Sequence, residues 1–275
     1  MKTKLILQKI KDNSLRDVEN LELIYKYIEN NLKQGQLITF YNWECPPRFI
    51  DCKGGKRFVN YDMDLWDVFN GKKADEFTEL PRVVESRDRE IGILKFLQDL
   101  GLRFRFVKII ADTNAYYLTP ESLDILGEVK IKNKFEEFKN LIIQEVRKYP
   151  LPVEVYLFTE LIKPCRGNYD KYFNYALDIL KINPKVLLDS KIINEQIIRT
   201  RKHIGMDEKD ASDFALRTIA SYGAEGMIFD LLSQTGKFSN CVWLNIEEID
   251  ERAITIINCI REMFGKGKLP MIFPK

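Results

Sequence analysis

Apolar positions recur along this chain in two rhythms. From about 3 to 34 they fall at helical spacing, with Leu5, Ile10, Leu15, Val18, Leu21, Ile24 and Ile28 set among charged residues, and Gly35 follows as a stop. A short apolar run at Leu37–Tyr41 reads as a strand, after which the chain passes through an irregular stretch containing Gly54-Gly55. A polar segment from Asp62 to Glu79 leads to Pro81 and a helix near Ser86–Leu100, closed by Gly101. Arg103–Ala111 is a second strand. Thr119 and Pro120 suit the N-cap and first position of a helix, and a longer helix spans about Lys132–Lys148. Pro152–Phe158, Cys241–Leu244 and Leu269–Phe273 are further strands. Helical patterns near Asp170–Lys181, Pro184–Lys202 and from Glu208 onward precede the fourth strand, and one near Glu251–Phe264 precedes the last.

Strands that are nearly continuous in apolar character and separated by helices predict a parallel sheet covered on both faces. A lone strand at 37–41 would leave its backbone groups unpaired, so it is expected in the same sheet as 103–111. The expected architecture is α/β, a single Rossmann-like domain over 1–275. Its parallel sheet has about five strands with helices on both faces, an N-terminal helix (about 3–34) and a helical segment (about 170–232) before the fourth strand. The chain contains no internal repeat and no low-complexity tract.

Charge narrows the choice of partner. With 43 Lys plus Arg against 41 Asp plus Glu, attraction to nucleic acid must come from local patches. Lys130, Lys132 and Lys134, and farther on Arg199 and Arg201, are the candidate phosphate contacts. Glu136, Glu137 and Glu145 also allow an ordinary solvated helix face. No signal-peptide pattern and no apolar run near the roughly 20 residues that span a bilayer are found, which predicts a cytoplasmic protein without a membrane partner. The five cysteines at 45, 52, 165, 241 and 259 are odd in number and lack CxxC spacing, so thiols are expected.

In open parallel sheets ligands bind beyond the carboxyl ends of the strands, where the strand order reverses. The polar residues there are Asn42, Glu44, Cys45 and Arg48; Asp112, Thr113 and Asn114; Thr159 and Glu160; and Asn245, Glu247 and Glu248. Asn42, Glu44, Arg48, Asp112, Asn114, Glu160 and Asn245 form the candidate substrate-binding set. Cys45 lies just past the first strand, beside Pro46-Pro47 and three residues before Arg48, whose cation could lower the thiol pKa and make a nucleophile. A buried thiol beside a structural arginine is the plainer alternative. If 214–232 is helical, Tyr222 and Glu225 share a face at i, i+3, a phenol and a carboxylate suited to an ammonium group or a proton transfer. A core tyrosine with a solvated glutamate fits the same residues, and Gly223 and Gly226 would permit a turn there. His203 is the only histidine and no GxSxG occurs, which argues against a Ser-His-Asp triad. Walker and GxGxxG signatures are missing as well.

In layout the chain resembles the tRNA-dependent cyclodipeptide synthases. Leu37–Arg48, Val107–Leu118 with its lysine-bearing helix, Phe214–Phe229, Cys241–Asn245 and Leu269–Pro274 stand in the order of that family's segments. The resemblance implies a class I aminoacyl-tRNA synthetase-like fold without an ATP site, aminoacyl-tRNA as partner, and neither cofactor nor metal. It implies Cys45 as nucleophile by position, and Tyr222 and Glu225 as the amino-acid-binding, proton-handling pair. Two departures stand out: the family's GxSxxN-type serine signature is Asn-Trp-Glu-Cys here, and its Tyr and Glu are four apart where Tyr222 and Glu225 are three apart. A similar layout, Pro-rich loop included, occurs in isocyanide synthases acting on aromatic amino acids, whose motifs are absent. A rival lies in Asp112-Thr113-Asn114, which resembles the start of PIN-domain ribonucleases. Glu160, Asp210 or Asp213, and Asp230 would supply further carboxylates for Mg²⁺ or Mn²⁺. Such a domain would begin near residue 103 and leave the first strand without a place. A third class is a non-enzymatic RNA- or protein-binding module acting through Lys130, Lys132 and Lys134.

Overall fold

A strand apolar on both faces must find its hydrogen bonds in neighbouring strands, and here it does. The computed structural model describes residues 2–12, 14, 21–44, 50–53, 56–59, 91–112, 128–182, 194, 197–198, 208–234, 241–244, 251–269 and 271–272. In chain order these form α1 (Lys2–Asp12), α2 (Leu21–Gln34), β1 (Ile38–Glu44), β2 (Ile50–Lys53), β3 (Lys56–Val59) and α3, helical over 91–99. Then come β4 (Phe104–Ile110), α4 (Glu128–Val146), β5 (Val153–Leu157), α5 (Phe158–Ile162), α6 (Arg166–Ile182), α7 (Glu208–Gln234), β6 (Cys241–Leu244), α8 (Glu251–Met263) and β7 (Met271–Ile272).

The main sheet has five parallel strands in the spatial order β5-β4-β1-β6-β7. Numbered among themselves along the chain, they run third, second, first, fourth, fifth. That is the open α/β order whose reversal lies at the first strand, between β1 and β6. Successive side chains point to opposite faces, and paired residues of parallel strands share a face. Ile38 and Phe40 of β1 therefore join Phe104, Phe106 and Val242 on one face, packed against Ile6, Ile10, Ile24, Ile28, Leu94 and Leu97 of α1, α2 and α3. Tyr41, Val107 and Ile109 line the other, against Phe158, Leu161, Tyr169, Ala224 and Ile228 of α5, α6 and α7. Helices thus cover both faces, as the apolar runs predict. Gly35 and Gly101 close α2 and α3 with φ of 65° and 67°, a left-handed conformation that glycine adopts without strain. The bonds Gln36 N to Asn31 O (2.9 Å) and Leu102 N to Leu97 O (3.1 Å) complete these caps.

Several boundaries differ from expectation. The long N-terminal helix is two: the Ser14 hydroxyl donates to Ile10 O at 2.6 Å and so competes with the backbone where α1 ends. On either side of Gly54-Gly55 in the sequence, where an irregular stretch is expected, β2 and β3 pair antiparallel. β1 runs on through Glu44, because its ladder with β4 continues to Glu44 opposite Ile110. Asn42 and Glu44 therefore lie within the strand rather than beyond it. At the other edge β5 stops at Leu157 and passes directly into α5. The helix expected at Thr119 and most of the one at 184–202 lie outside the described residues.

The 27-residue α7 is one continuous helix through Gly223 and Gly226. Those glycines make no turn. A Cβ at Gly223 would collide with Ile260 of α8, and one at Gly226 with Ile257. Buried Arg261 fastens the contact, its guanidinium donating to Gly226 O at 2.7 Å and Gly267 O at 2.8 Å. Backbone carbonyls near helix ends and glycines are natural acceptors for such a donor.

Candidate active site

The strand order directs attention to the carboxyl end of β1. Among the described residues β1 pairs with β6 from Thr39 to Tyr41 and with β4 as far as Glu44. Asn42 is the next residue of β1 after its described pairing with β6. Its side chain is 3% exposed, and its Nδ2 has no hydrogen-bond partner among the described residues. Opposite it in register stands Lys108 of β4, 1% exposed, with Nζ 5.7 Å from the Phe106 ring centroid. Both point to the α1–α3 face, one step beyond the apolar pair Phe40 and Phe106.

A second polar group lies on the opposite face. Glu225 of α7 is 2% exposed and accepts a hydrogen bond from Ser221 Oγ at 2.9 Å. Ser221 Oγ lies 2.7 Å from the Tyr169 hydroxyl of α6. Since the serine hydrogen is given to the carboxylate, the phenol is the donor to serine, and the chain has one direction: Tyr169, Ser221, Glu225. Burial, and then the Glu225 charge, push the Tyr169 phenol well above its ordinary value, so it remains a donor. Its ring is held edge-on to Phe158 at 5.7 Å and stacked on Phe173 at 6.3 Å.

At the ends of β4 and β5 the polar residues hold one another. Asp112, 7% exposed, accepts from Thr159 N at 3.0 Å and from the Thr159 hydroxyl. Burial raises its carboxyl from 3.8 to about 6, against the pull of these two bonds. Glu160 turns back to accept from Leu157 N at 2.9 Å and takes Lys139 Nζ of α4 at 2.6 and 2.8 Å. Together they cap the start of α5, where backbone N–H groups need acceptors.

The structure brings some expected residues together and separates others. Tyr222 and Glu225 do lie on one helix, but the Tyr222 ring packs partly buried with Ala176, Leu177, Leu180 and Ile260. Glu225 engages Ser221 instead. The residue four before Glu225 is therefore Ser221, and the nearby phenol, Tyr169, comes from another helix. Asp213 pairs with Arg217 at 2.8 Å and Lys181 at 4.0 Å, away from Asp112 and Glu160 in its bonding. Among the described residues no three His, Cys, Asp or Glu side chains are grouped to hold a metal ion. Lys132 is exposed on α4; Lys130 and Lys134 lie on the same helix. Cys45, Arg48, Asn114, Arg199, Arg201, His203 and Asn245 lie outside the described residues. Burial pushes the thiols of Cys165 and Cys259 up, which lowers their nucleophilic thiolate fraction.

Lys108, Tyr169 and Ser221 are the residues sequence reading passed over. Only Lys108 left a signal: it is the one charged residue in the interior of the apolar run Val107–Ile110. Among the described residues no helix is long and apolar enough to cross a membrane.

No protein-family model matches the chain. No curated protein sequence matches it either. Among solved structures the fold is similar to that of the PvcA protein from Pseudomonas aeruginosa, with a TM-score of 0.54 and 10% identity, covering 100% of this chain and 84% of that one. Leishmania major tyrosyl-tRNA synthetase matches with a TM-score of 0.49 and 12% identity, over 100% of this chain and 34% of the synthetase. A tryptophanyl-tRNA synthetase homolog from Entamoeba histolytica matches at 0.47 and 10%, over 99% of this chain and 59% of the homolog. The chain thus spans about a third of the tyrosyl-tRNA synthetase and somewhat less than two thirds of the tryptophanyl-tRNA synthetase homolog. At such identities the likeness to PvcA is one of fold: an α/β Rossmann-like parallel sheet.

Proposed function

We propose that the chain is an aminoacyl-transferring synthase, which takes amino acids from aminoacyl-tRNA and releases a small cyclodipeptide-like product. The observation that supports this reading most is the buried Glu225 carboxylate, aimed by Ser221 and Tyr169 on the helix that leads into β6. A buried carboxylate with fixed donors on one side suits the α-ammonium of an aminoacyl group, which brings the opposite charge. Tyr222, one turn earlier on α7, is the second group offered for amino-acid binding. Exposed Lys132, with Lys130 and Lys134, supplies positive charge for the RNA backbone.

In the proposed reaction the Cys45 thiolate attacks the ester carbonyl of a first aminoacyl-tRNA. A C–S bond forms, the C–O bond to the terminal ribose breaks, and the departing ribose oxygen takes a proton. The amine of a second aminoacyl-tRNA then attacks the thioester, loses a proton and expels the Cys45 thiolate, leaving dipeptidyl-tRNA. The free amine of that dipeptide attacks its own ester, closes the ring and releases the second tRNA. Each ester carries its own activation, so the sequence balances without a nucleotide.

The test is incubation of the purified chain with a pool of aminoacylated tRNAs, with and without EDTA. Small products are read by mass spectrometry and the RNA on a gel. A dipeptide-sized product that persists in EDTA is expected. EDTA-sensitive RNA cleavage with no such product would instead establish a metal-dependent ribonuclease and end the synthase reading.

A further inference from the structure

After β1 the chain forms a second, smaller sheet, which the aminoacyl-transfer reading does not use. Among the described residues β2 and β3 pair with each other, in a two-stranded sheet separate from the five-stranded one. Ile50 opens β2 six positions after Glu44, the last residue of β1. An extended chain spans at most about 3.3–3.6 Å per residue, so this small sheet starts within roughly 22 Å of the carboxyl end of β1. Its charge is gathered at one end. The last pair of the register sets Lys53 opposite Lys56, and the pair before it sets Cys52 opposite Arg57. Asp51 is the one acid of the two strands. Like charges directly opposite across an antiparallel pair are unfavourable, and a lone two-stranded ribbon is only marginally stable in water. An anion lying against that end removes the repulsion. Register and place in the chain are independent observations, and both point to a polyanion that reaches the candidate active site. A membrane surface would instead need a broad apolar face. Side chains alternate along a strand, and both sets of alternate positions here carry charge: Arg57 in one, Asp51, Lys53 and Lys56 in the other.

We infer that the Lys53, Lys56 and Arg57 end of the β2–β3 ribbon is a contact for the phosphate backbone of the tRNA that brings the aminoacyl group to the end of β1. The identity of the RNA rests on the aminoacyl-transfer reading; the contact is one of charge and needs no acyl transfer to be measured. A guanidinium can take a phosphate with two parallel hydrogen bonds, while the two lysines act as point charges. Each phosphate neutralised releases condensed counterions, so the contact weakens as salt rises. It differs from the lysines of α4, which follow β4 and not β1.

Binding of deacylated tRNA to the full chain, read by fluorescence anisotropy over a range of salt concentrations, provides the test. The triple variant Lys53→Gln, Lys56→Gln, Arg57→Gln is expected to bind about tenfold or more weakly than wild type. Its plot of log K against log salt should be shallower by about 2–3, the share of three phosphate contacts. Lys53→Arg with Lys56→Arg keeps the charge and is expected to bind as wild type does. In wild type, tRNA should protect Lys53 and Lys56 from acetylation by acetic anhydride, read by peptide mass spectrometry, an observation that needs no variant. Weaker binding by the triple variant, with no dipeptide made by any of the proteins, keeps the contact and ends the synthase reading. Dipeptide formation with equal tRNA affinity and equal salt slope in wild type and triple variant overturns the contact and leaves the synthase reading standing. Labelling of both lysines unchanged by tRNA, or binding to phosphatidylserine–phosphatidylcholine vesicles and not to tRNA, overturns it as well.

Discussion

Two neighbouring strand ends in this fold carry polar residues that look alike in sequence and behave differently in three dimensions. At the ends of β4 and β5, Asp112 and Glu160 spend their oxygens on Thr159, Leu157 N and Lys139. That end is a cap, closed by its own side chains. At the end of β1, Asn42 keeps a buried donor without a partner among the described residues. A satisfied polar cluster rigidifies, and an unsatisfied one stores a cost that a ligand can relieve. Being polar and near a strand end does not separate the two; completeness of hydrogen bonding does.

Glu225→Gln tests the comparison most severely, because it removes the carboxylate proposed to read the substrate ammonium. Product formation from aminoacyl-tRNA is expected to fall by about 100-fold or more, near 3 kcal/mol in the barrier. Activity near wild type would move the amine site elsewhere.

Asp112→Ala is expected to lower stability by about 1–3 kcal/mol, since Thr159 N and its hydroxyl lose their acceptor. It should leave the affinity for substrate unchanged. The wild-type carboxyl also has a pH signature. Its pKa is raised from 3.8 to about 6 in the folded state, so between those values the folded protein binds more protons than the unfolded chain. Its contribution to stability is therefore fullest below pH 3.8 and is lost as pH rises through about 6. Urea unfolding of wild type against Asp112→Asn across that window should show the wild type losing stability relative to the variant. Parallel curves would mean that Asp112 does not titrate there.

The opposite sign is expected at β1. Asn42→Leu should gain about 1 kcal/mol, because it exchanges an unmet donor for apolar contact in a closed layer. The smallest effect belongs to Lys139→Met, below about 1 kcal/mol, since Glu160 is exposed and keeps its bond to Leu157 N. A larger loss there would show that the α4 contact, and not the cap, holds the end of β5.

The strands were legible from one-dimensional pattern because a strand buried on both faces is a nearly continuous apolar run, as in Val107–Ile110, which only Lys108 interrupts. β2 and β3 escaped because Ile50–Lys53 and Lys56–Val59 are short and half polar, so the Gly54-Gly55 between them was the stronger sign. Helical periodicity placed Tyr222 and Glu225 on one helix, but periodicity says nothing of neighbours on other helices. Tyr169 lies 52 residues from the Ser221 it bonds, and Lys108 meets Asn42 only through the β1–β4 register. Such pairings are set by packing between distant segments. For the same reason the sequence could name Asp112 and Glu160 as polar rim residues but could not see that they answer Thr159 and Lys139.

The most direct test of the central claim is the intact mass of the chain, acid-quenched soon after mixing with a single aminoacyl-tRNA. Aminoacyl transfer through Cys45 predicts a mass increase of one aminoacyl residue, present in wild type and lost in Cys45→Ala. Product formation by Cys45→Ala at the wild-type rate, with no added mass on the wild type, would contradict it.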